Sequence, residues 1–188
     1  LGGGLGWLSG KYGATCDNLL SAELMTADGQ SMVANATENP DLFWAIRGGG
    51  GNFGIATSFE YRLHPLSVVF AGELTYRLSD TRTMLNFYRD FMAEAPDELQ
   101  AFVALRRNGD PLLTLEVCFS GDLNDGEKIV RPLRTHANPV HDTVQPRAYS
   151  DPFTEDAGGP RTFRNTKCCY LESLSEDAID VVLDRFAH

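Results

Sequence analysis

Basic residues are in short supply: 16 Lys and Arg stand against 26 Asp and Glu, a formal charge of -10 with a pI near 4.8. No lysine or arginine cluster interrupts that balance, which makes nucleic acid or an anionic membrane surface a poor partner. No apolar run reaches the length of a membrane span, and no stretch reads as a signal peptide with a basic start. Cysteine is sparse too, with four residues, Cys16, Cys118, Cys168 and Cys169, and no C-x-x-C pair, so zinc and iron-sulfur readings fail. Adjacent Cys168 and Cys169 on a strand point to opposite faces, which suits neither chelation nor a mutual disulfide. Reduced, structural thiols in a cytoplasmic protein are expected. His64, His136, His141 and His188 show no metal-ligand spacing, and each reads as a surface or loop histidine. No Ser-His-Asp or Cys-His arrangement and no catalytic spacing of carboxylates is present, which excludes the common hydrolytic designs.

What the chain does have is glycine, 18 in 188 residues, most densely in Arg47-Gly48-Gly49-Gly50-Gly51-Asn52-Phe53-Gly54-Ile55. A run of this kind marks backbone that takes unusual dihedrals or approaches another group closely, and a cofactor is the candidate for that group. Residues 55–63 then alternate apolar and polar, which predicts a half-buried strand. Gly49, Gly51 and Gly54 satisfy G-x-G-x-x-G, and Gly4, Gly6 and Gly10 a looser version, yet neither copy sits between a strand and a helix. A nicotinamide-type Rossmann site is thereby disfavoured.

In chain order, residues 7–13 predict a short helical turn stopped by Gly13, and Asp17-Asn18 a loop-to-strand junction. Strands at 20–26 and 31–36 flank the hairpin signal Ala27-Asp28-Gly29-Gln30. A short helix follows, capped by Asn39, opened by Pro40 and Asp41, and burying Leu42, Phe43 and Ile46. A boundary falls near residue 66, where Pro65 interrupts a ladder and glycine density drops. Beyond it come a strand at 68–78; a helix capped by Asp80 with Met84, Leu85, Tyr88, Phe91 and Met92 inward; strands at 100–107 and 112–120 around a turn at 108–111; and a helix at 125–136 burying Ile129, Val130 and Leu133. Residues 137–161 read as an irregular loop, 162–171 as a strand, and Ser175 caps a closing helix with Ala178, Ile179, Val182, Leu183 and Phe186 on one face. The order predicts an α+β fold: an antiparallel sheet with helices on one face and the other face free.

The segments at residues 2–13, Asp17-Asn18-Leu19-Leu20, Ala27-Asp28-Gly29 and residues 38–54 resemble the second half of the PCMH-type FAD-binding domain in berberine-bridge-enzyme-like oxidases of the vanillyl-alcohol-oxidase superfamily. The match is dense over the first third of the chain. It implies residues 1–66 as the C-terminal part of the FAD-binding domain and 67–188 as the N-terminal part of a substrate-binding domain. It implies that Asn52, Phe53, Gly54 and Ile55, with Gly51, lie along the ADP part of FAD, largely through backbone. It further implies that Gly3, Gly4, Asp17, Asn18 and Leu19 border the cofactor. Lys167, on a strand resembling one of the family's substrate domain, and Arg164 are candidates for placing positive charge beside the flavin or an anionic substrate.

The activity implied is that of an FAD-linked oxidoreductase: hydride from a C–H next to oxygen or nitrogen of a small molecule onto flavin N5, with oxygen as acceptor. The chain opens on Leu1-Gly2-Gly3-Gly4 rather than Met, and a piece of a longer protein is expected. The family's covalent flavin attachment precedes these residues, Cys16 lying on the wrong side of the glycines to serve, and its catalytic tyrosine lies beyond His188. A partner chain supplying the rest of the flavin domain is one expectation, and a non-catalytic binding subunit keeping only a relic groove is the alternative.

Overall fold

The computed structural model describes residues 4–106, 112–150 and 171–187, which form two compact units, Leu1–Pro65 and Leu66–His188. The architecture is α+β, with antiparallel sheets and short helices in both units. Among the described residues no helix is long and apolar enough to cross a membrane.

In the first unit, β1 (Leu19–Met25), β2 (Ser31–Asn35) and β3 (Ile55–Tyr61) make an antiparallel sheet in the order β2-β1-β3. The predicted hairpin forms, with Met25 opposite Ser31 and the Thr26 N–H donating to Gln30 O at 2.9 Å. A single helical turn, α1 (Ser9–Tyr12), ends where the Gly13 N–H donates to Ser9 O. Helix α2 (Pro40–Ile46) packs against β2, and Phe43 and Ile46 join Leu19, Ala22, Leu24 and Ala34 in a small core.

Two expectations fail here. Asn39 does not cap α2 with its side chain: it adopts the left-handed conformation (φ 49°, ψ 53°), which asparagine tolerates better than most residues, and its Nδ2 donates to Val33 O at 2.7 Å. The amides of that corner are taken by Asn35 instead, whose Oδ1 accepts from Thr37 N and Glu38 N at 2.9 and 2.7 Å. Strand β3 is also not half-buried. Ile55 is 73% and Phe59 46% exposed, because β3 is an edge strand and α2 covers the β1–β2 side of the sheet.

The second unit is built on β4 (Val68–Arg77), β5 (Leu99–Arg106) and β6 (Leu112–Phe119), ordered β5-β6-β4. Alternate residues Phe70, Leu74 and Tyr76 of β4 and Leu113, Leu115, Val117 and Phe119 of β6 face one core. That core is closed by Met84 and Leu85 of α3 (Thr81–Ala93), Val130 and Leu133 of α4 (Leu123–His136) and Ile179 of α5 (Glu176–Ala187). The helices thus share one face of the sheet, as the pattern predicts. Gly126 lets α4 close onto β4: a Cβ there would sit 2.7 Å from Cγ of Phe70.

Helix starts again depart from expectation. Asp80 makes no capping bond, because a 3-10 turn, Leu78–Asp80, leads straight into α3. Helix α4 begins earlier than residue 125, with Asp122 accepting from the Asn124 N–H at 2.9 Å. Ser175 does cap α5, accepting from the Ala178 N–H at 3.2 Å.

The stretch read as a loop from residue 137 contains two strands, β7 (His141–Asp142) and β8 (Gln145–Ala148), both paired with β4. Its proline and aspartate content hid them. Pro146 lies opposite Phe70 on a strand at the sheet's edge, where a missing N–H is tolerated. Arg134 of α4 ties this edge down: Nε and Nη2 reach both carboxylate oxygens of Asp142 at 2.7 and 3.2 Å, Nη2 also donates to Val144 O at 2.7 Å, and Nη1 pairs with Glu127.

Burial alone would raise the Asp142 carboxyl, but the Arg134 guanidinium and the Val144 N–H outweigh it and hold it below the usual carboxylate range. A depressed folded-state pKa contributes stability that is present above the unfolded value and lost as pH falls through the folded one. Asp142→Asn is therefore expected to cost about 1.5–3 kcal/mol at neutral pH. The difference from wild type should shrink as pH drops below about 4, in urea titrations followed by circular dichroism. A difference that stayed constant into acid would show that the charge pair contributes nothing.

Candidate functional site

The glycine run lies between α2 and β3, and its geometry follows from local bonding. Arg47 N–H donates to Trp44 O at 3.2 Å and Gly49 N–H to Ala45 O at 2.9 Å, which winds down α2. A 3-10 turn, Gly50–Phe53, follows, and Asn52 folds its Nδ2 back onto Gly49 O at 2.7 Å. Gly54 then enters β3 at φ 142°, ψ -170°, and a Cβ on it would stand 2.5 Å from Met25 O on the neighbouring strand. Only glycine fits that combination of dihedral and close approach.

The run separates two clefts of the first unit. One, of about 400 Å³, is lined by Asp17, Trp44, Ala45, Arg47, Gly48, Gly49 and Phe53. The other, of about 370 Å³, has an apolar floor of Leu24, Ile46, Ala56 and Phe59 beneath Gly50, Gly51 and Gly54. A Cβ built at Gly50 or Gly51 meets no atom within 4 Å, so side chains at these positions would project into open space that the glycines leave clear.

In the first cleft, Trp44 is 74% exposed, whereas Phe43 and Ile46 of the same helix are buried. The Arg47 guanidinium lies over the Phe43 ring, Cζ 4.9 Å from its centroid, and its Nε is buried without a hydrogen-bond partner. Asp17 turns Oδ2 onto the Ala14 N–H at 2.9 Å.

The structure brings some predicted site residues together and separates others. Asp17 and Phe53 line the first cleft, Gly51 and Gly54 the second, and Asn52 and Ile55 flank them, Ile55 mostly in solvent. Gly4 is tied to the next turn, its carbonyl accepting from Thr15 N at 2.8 Å. Asn18 spends its side chain on the scaffold: Nδ2 donates to Tyr12 O and Ala14 O at 2.8 and 3.2 Å, and Oδ1 meets His64 Nε2 at 2.7 Å. The His64 ring stacks on Tyr12, centroids 3.9 Å apart, which gives this histidine a bracing role. Leu19 is a core residue, 4% exposed. Gly3, Arg164 and Lys167 lie outside the described residues, as do residues 162–170 of the strand read at 162–171.

Trp44 and Arg47 were not singled out by the sequence pattern. A signal existed: with Leu42, Phe43 and Ile46 forming the inward stripe of α2, a tryptophan at position 44 falls on the outward side, where so large an apolar ring has no packing reason to be.

In the second unit, Cys118 is buried and its thiol is pushed up to about 12 by that burial, with Glu116 nearby adding to the effect. It is a structural thiol, too weakly acidic to act as a nucleophile.

No family model matches the chain. Among curated proteins, (R)-6-hydroxynicotine oxidase of Paenarthrobacter nicotinovorans is 35% identical over 156 residues, covering 80% of this chain and 34% of that protein. The FAD-linked oxidoreductase pgmH of Aspergillus terreus is 39% identical over 139 residues, covering 70% and 28%. Among solved structures, BBE-like 1 of Physcomitrella patens superposes with a TM-score of 0.66 at 28% identity, covering 79% of this chain and 32% of that one. The chain spans about a third of the length of these relatives.

Proposed function

We propose that this chain, a relative of the FAD-linked oxidoreductases that shares its fold with berberine-bridge-enzyme-like flavoproteins, is the part of a flavin oxidase that receives FAD on its glycine run. The resemblance read from residues 2–54 is the one these relatives bear out. The observation that carries the proposal is the placement of Gly48 to Gly54 as a wall with a cleft on either side.

The residues present fit such a group. The open space in front of Gly50 and Gly51 is a cradle that any Cβ would enter, and glycine leaves the backbone of the run unobstructed on that side. Gly51, Asn52, Phe53, Gly54 and Ile55 would border the ADP part, with Asp17 across the first cleft. Gly3, Gly4, Asn18 and Leu19 would do so through backbone at most, since the Asn18 and Leu19 side chains are already committed.

When bound, FAD supplies the redox chemistry, taking hydride from a C–H beside oxygen or nitrogen of a small-molecule substrate, with oxygen as electron acceptor. The chain's part is to hold and orient: the Gly54 anchor against Met25 fixes where the run leaves the sheet, and the Asn52–Gly49 bond fixes the turn before it. Arg164 and Lys167 are proposed to place positive charge near the substrate or flavin. A separate chain completing the flavin domain is proposed as partner.

The test is the absorption spectrum of the purified protein before and after acid precipitation, with and without added FAD. Flavin bands in the purified or FAD-supplemented protein are expected, and the acid step shows whether they leave with the supernatant. Protein that is colourless and takes up no FAD would overturn the proposal in favour of a relic groove.

A further inference from the structure

Arg47 and Trp44 have no role in the reading above, yet they carry its least explained features. A guanidinium stacked on an aromatic ring, as Arg47 is on Phe43, is held in plane while its N–H edge stays available. Its Nε is buried with no acceptor, and among the described residues the guanidinium has neither a hydrogen-bond nor an ion-pair partner. With no partner of its own, the guanidinium that lines this cleft is left to pair with an anion entering it. In the same cleft the Trp44 ring is mostly solvent-exposed, a planar surface on the outward side of α2. A cation with unsatisfied donors, an open aromatic face and a carboxylate from Asp17 in a cleft of about 400 Å³ match the parts of a nucleotide: phosphate, base and sugar hydroxyl.

We propose that Arg47 is the phosphate-contact residue of this cleft and Trp44 its stacking platform, together holding the adenosine-diphosphate end of the dinucleotide. The assignment rests on the flavin reading and deepens it, because it names two side chains where that reading relied on backbone. Asp17 repels phosphate, which puts the anion at the Arg47 side and leaves the carboxylate to accept from a hydroxyl.

The experiment is equilibrium binding to the full-length protein by quenching of flavin fluorescence, with ADP, riboflavin and inorganic phosphate as competitors. Arg47→Ala and Arg47→Gln are each expected to weaken FAD and ADP about tenfold or more while leaving riboflavin unchanged. Arg47→Lys should restore part of the loss, since charge returns without the planar fork. Trp44→Ala should weaken ADP and FAD severalfold and leave phosphate unaffected. Arg47→Gln keeps most of the stem over Phe43, and thermal unfolding by tryptophan fluorescence separates lost contact from lost fold. Wild-type binding that Arg47→Ala and Arg47→Gln leave intact overturns this assignment alone. Inorganic phosphate competing as well as ADP does the same, by reducing the cleft to a simple anion site. Wild-type protein that binds neither FAD nor ADP overturns the flavin reading along with it.

Discussion

Gly54→Ala should destabilise the first unit by roughly 3 kcal/mol or more and abolish FAD uptake. Two costs combine. At φ 142°, ψ -170° a residue with a Cβ is strained, by about 1–3 kcal/mol. The added methyl also stands 2.5 Å from Met25 O, a backbone atom of the neighbouring strand, so relief requires β1 and β3 to move apart where Met25 pairs with Ile55. No side-chain rotamer can absorb that contact. Moving the pair shifts the exit of the glycine run and with it the walls of both clefts.

Gly51→Ala is the matched control. Its dihedrals (φ -81°, ψ 17°) suit any residue and its Cβ meets nothing, so stability should stay within about 0.5 kcal/mol of wild type. The methyl nevertheless enters the open space ahead of the run, and FAD affinity should fall. Trp7 and Trp44 both lie in the first unit, so tryptophan fluorescence in urea reads its unfolding directly. A Gly54→Ala variant as stable as Gly51→Ala would show that the close approach to Met25 is not a constraint.

Much of this fold is legible because its signals are local. The Asp28-Gly29 turn, the 3.6-residue spacing of Met84, Leu85 and Tyr88, and the alternation along β4 and β6 each need only a few neighbouring residues to be read. The failures occur where distant partners decide. Asn39 and Asp80 have the chemistry of caps, but Asn39 is recruited by the Val33 carbonyl and Asp80 is carried into α3 by the preceding turn. β7 and β8 are two- and four-residue strands that form only by pairing with β4, more than sixty residues away, and no periodicity can register over such lengths.

For the candidate site, the glycine run announces itself by composition, whereas the roles around it do not. Leu19 and Asp17 are two residues apart, yet one is packed in the core and the other lines a cleft, because Asp17 sits in the 3-10 turn Thr15–Asn18 and Leu19 opens β1. Trp44 becomes a candidate only when the packing of α2 on β2 shows which of its sides is left open.

Leu115→Ala should cost the second unit about 3–4 kcal/mol, within the range measured for buried leucine truncations. Leu115 is 1% exposed at the middle of the central strand, paired across to Leu74 on β4 and Val103 on β5. Its neighbours come from a sheet held by ladders on both sides, so the cavity left by the isobutyl group cannot collapse as it would beneath a loop, and the cavity cost adds to the transfer cost. Leu115→Met, which conserves volume, should cost less than about 1.5 kcal/mol. The measurement is urea unfolding by far-ultraviolet circular dichroism, with the midpoint falling and the slope unchanged. A truncation no more costly than the methionine swap would mean that the sheet yields at its centre. A full penalty supports the converse: the helical layer and the two flanking ladders hold the sheet firm at its centre.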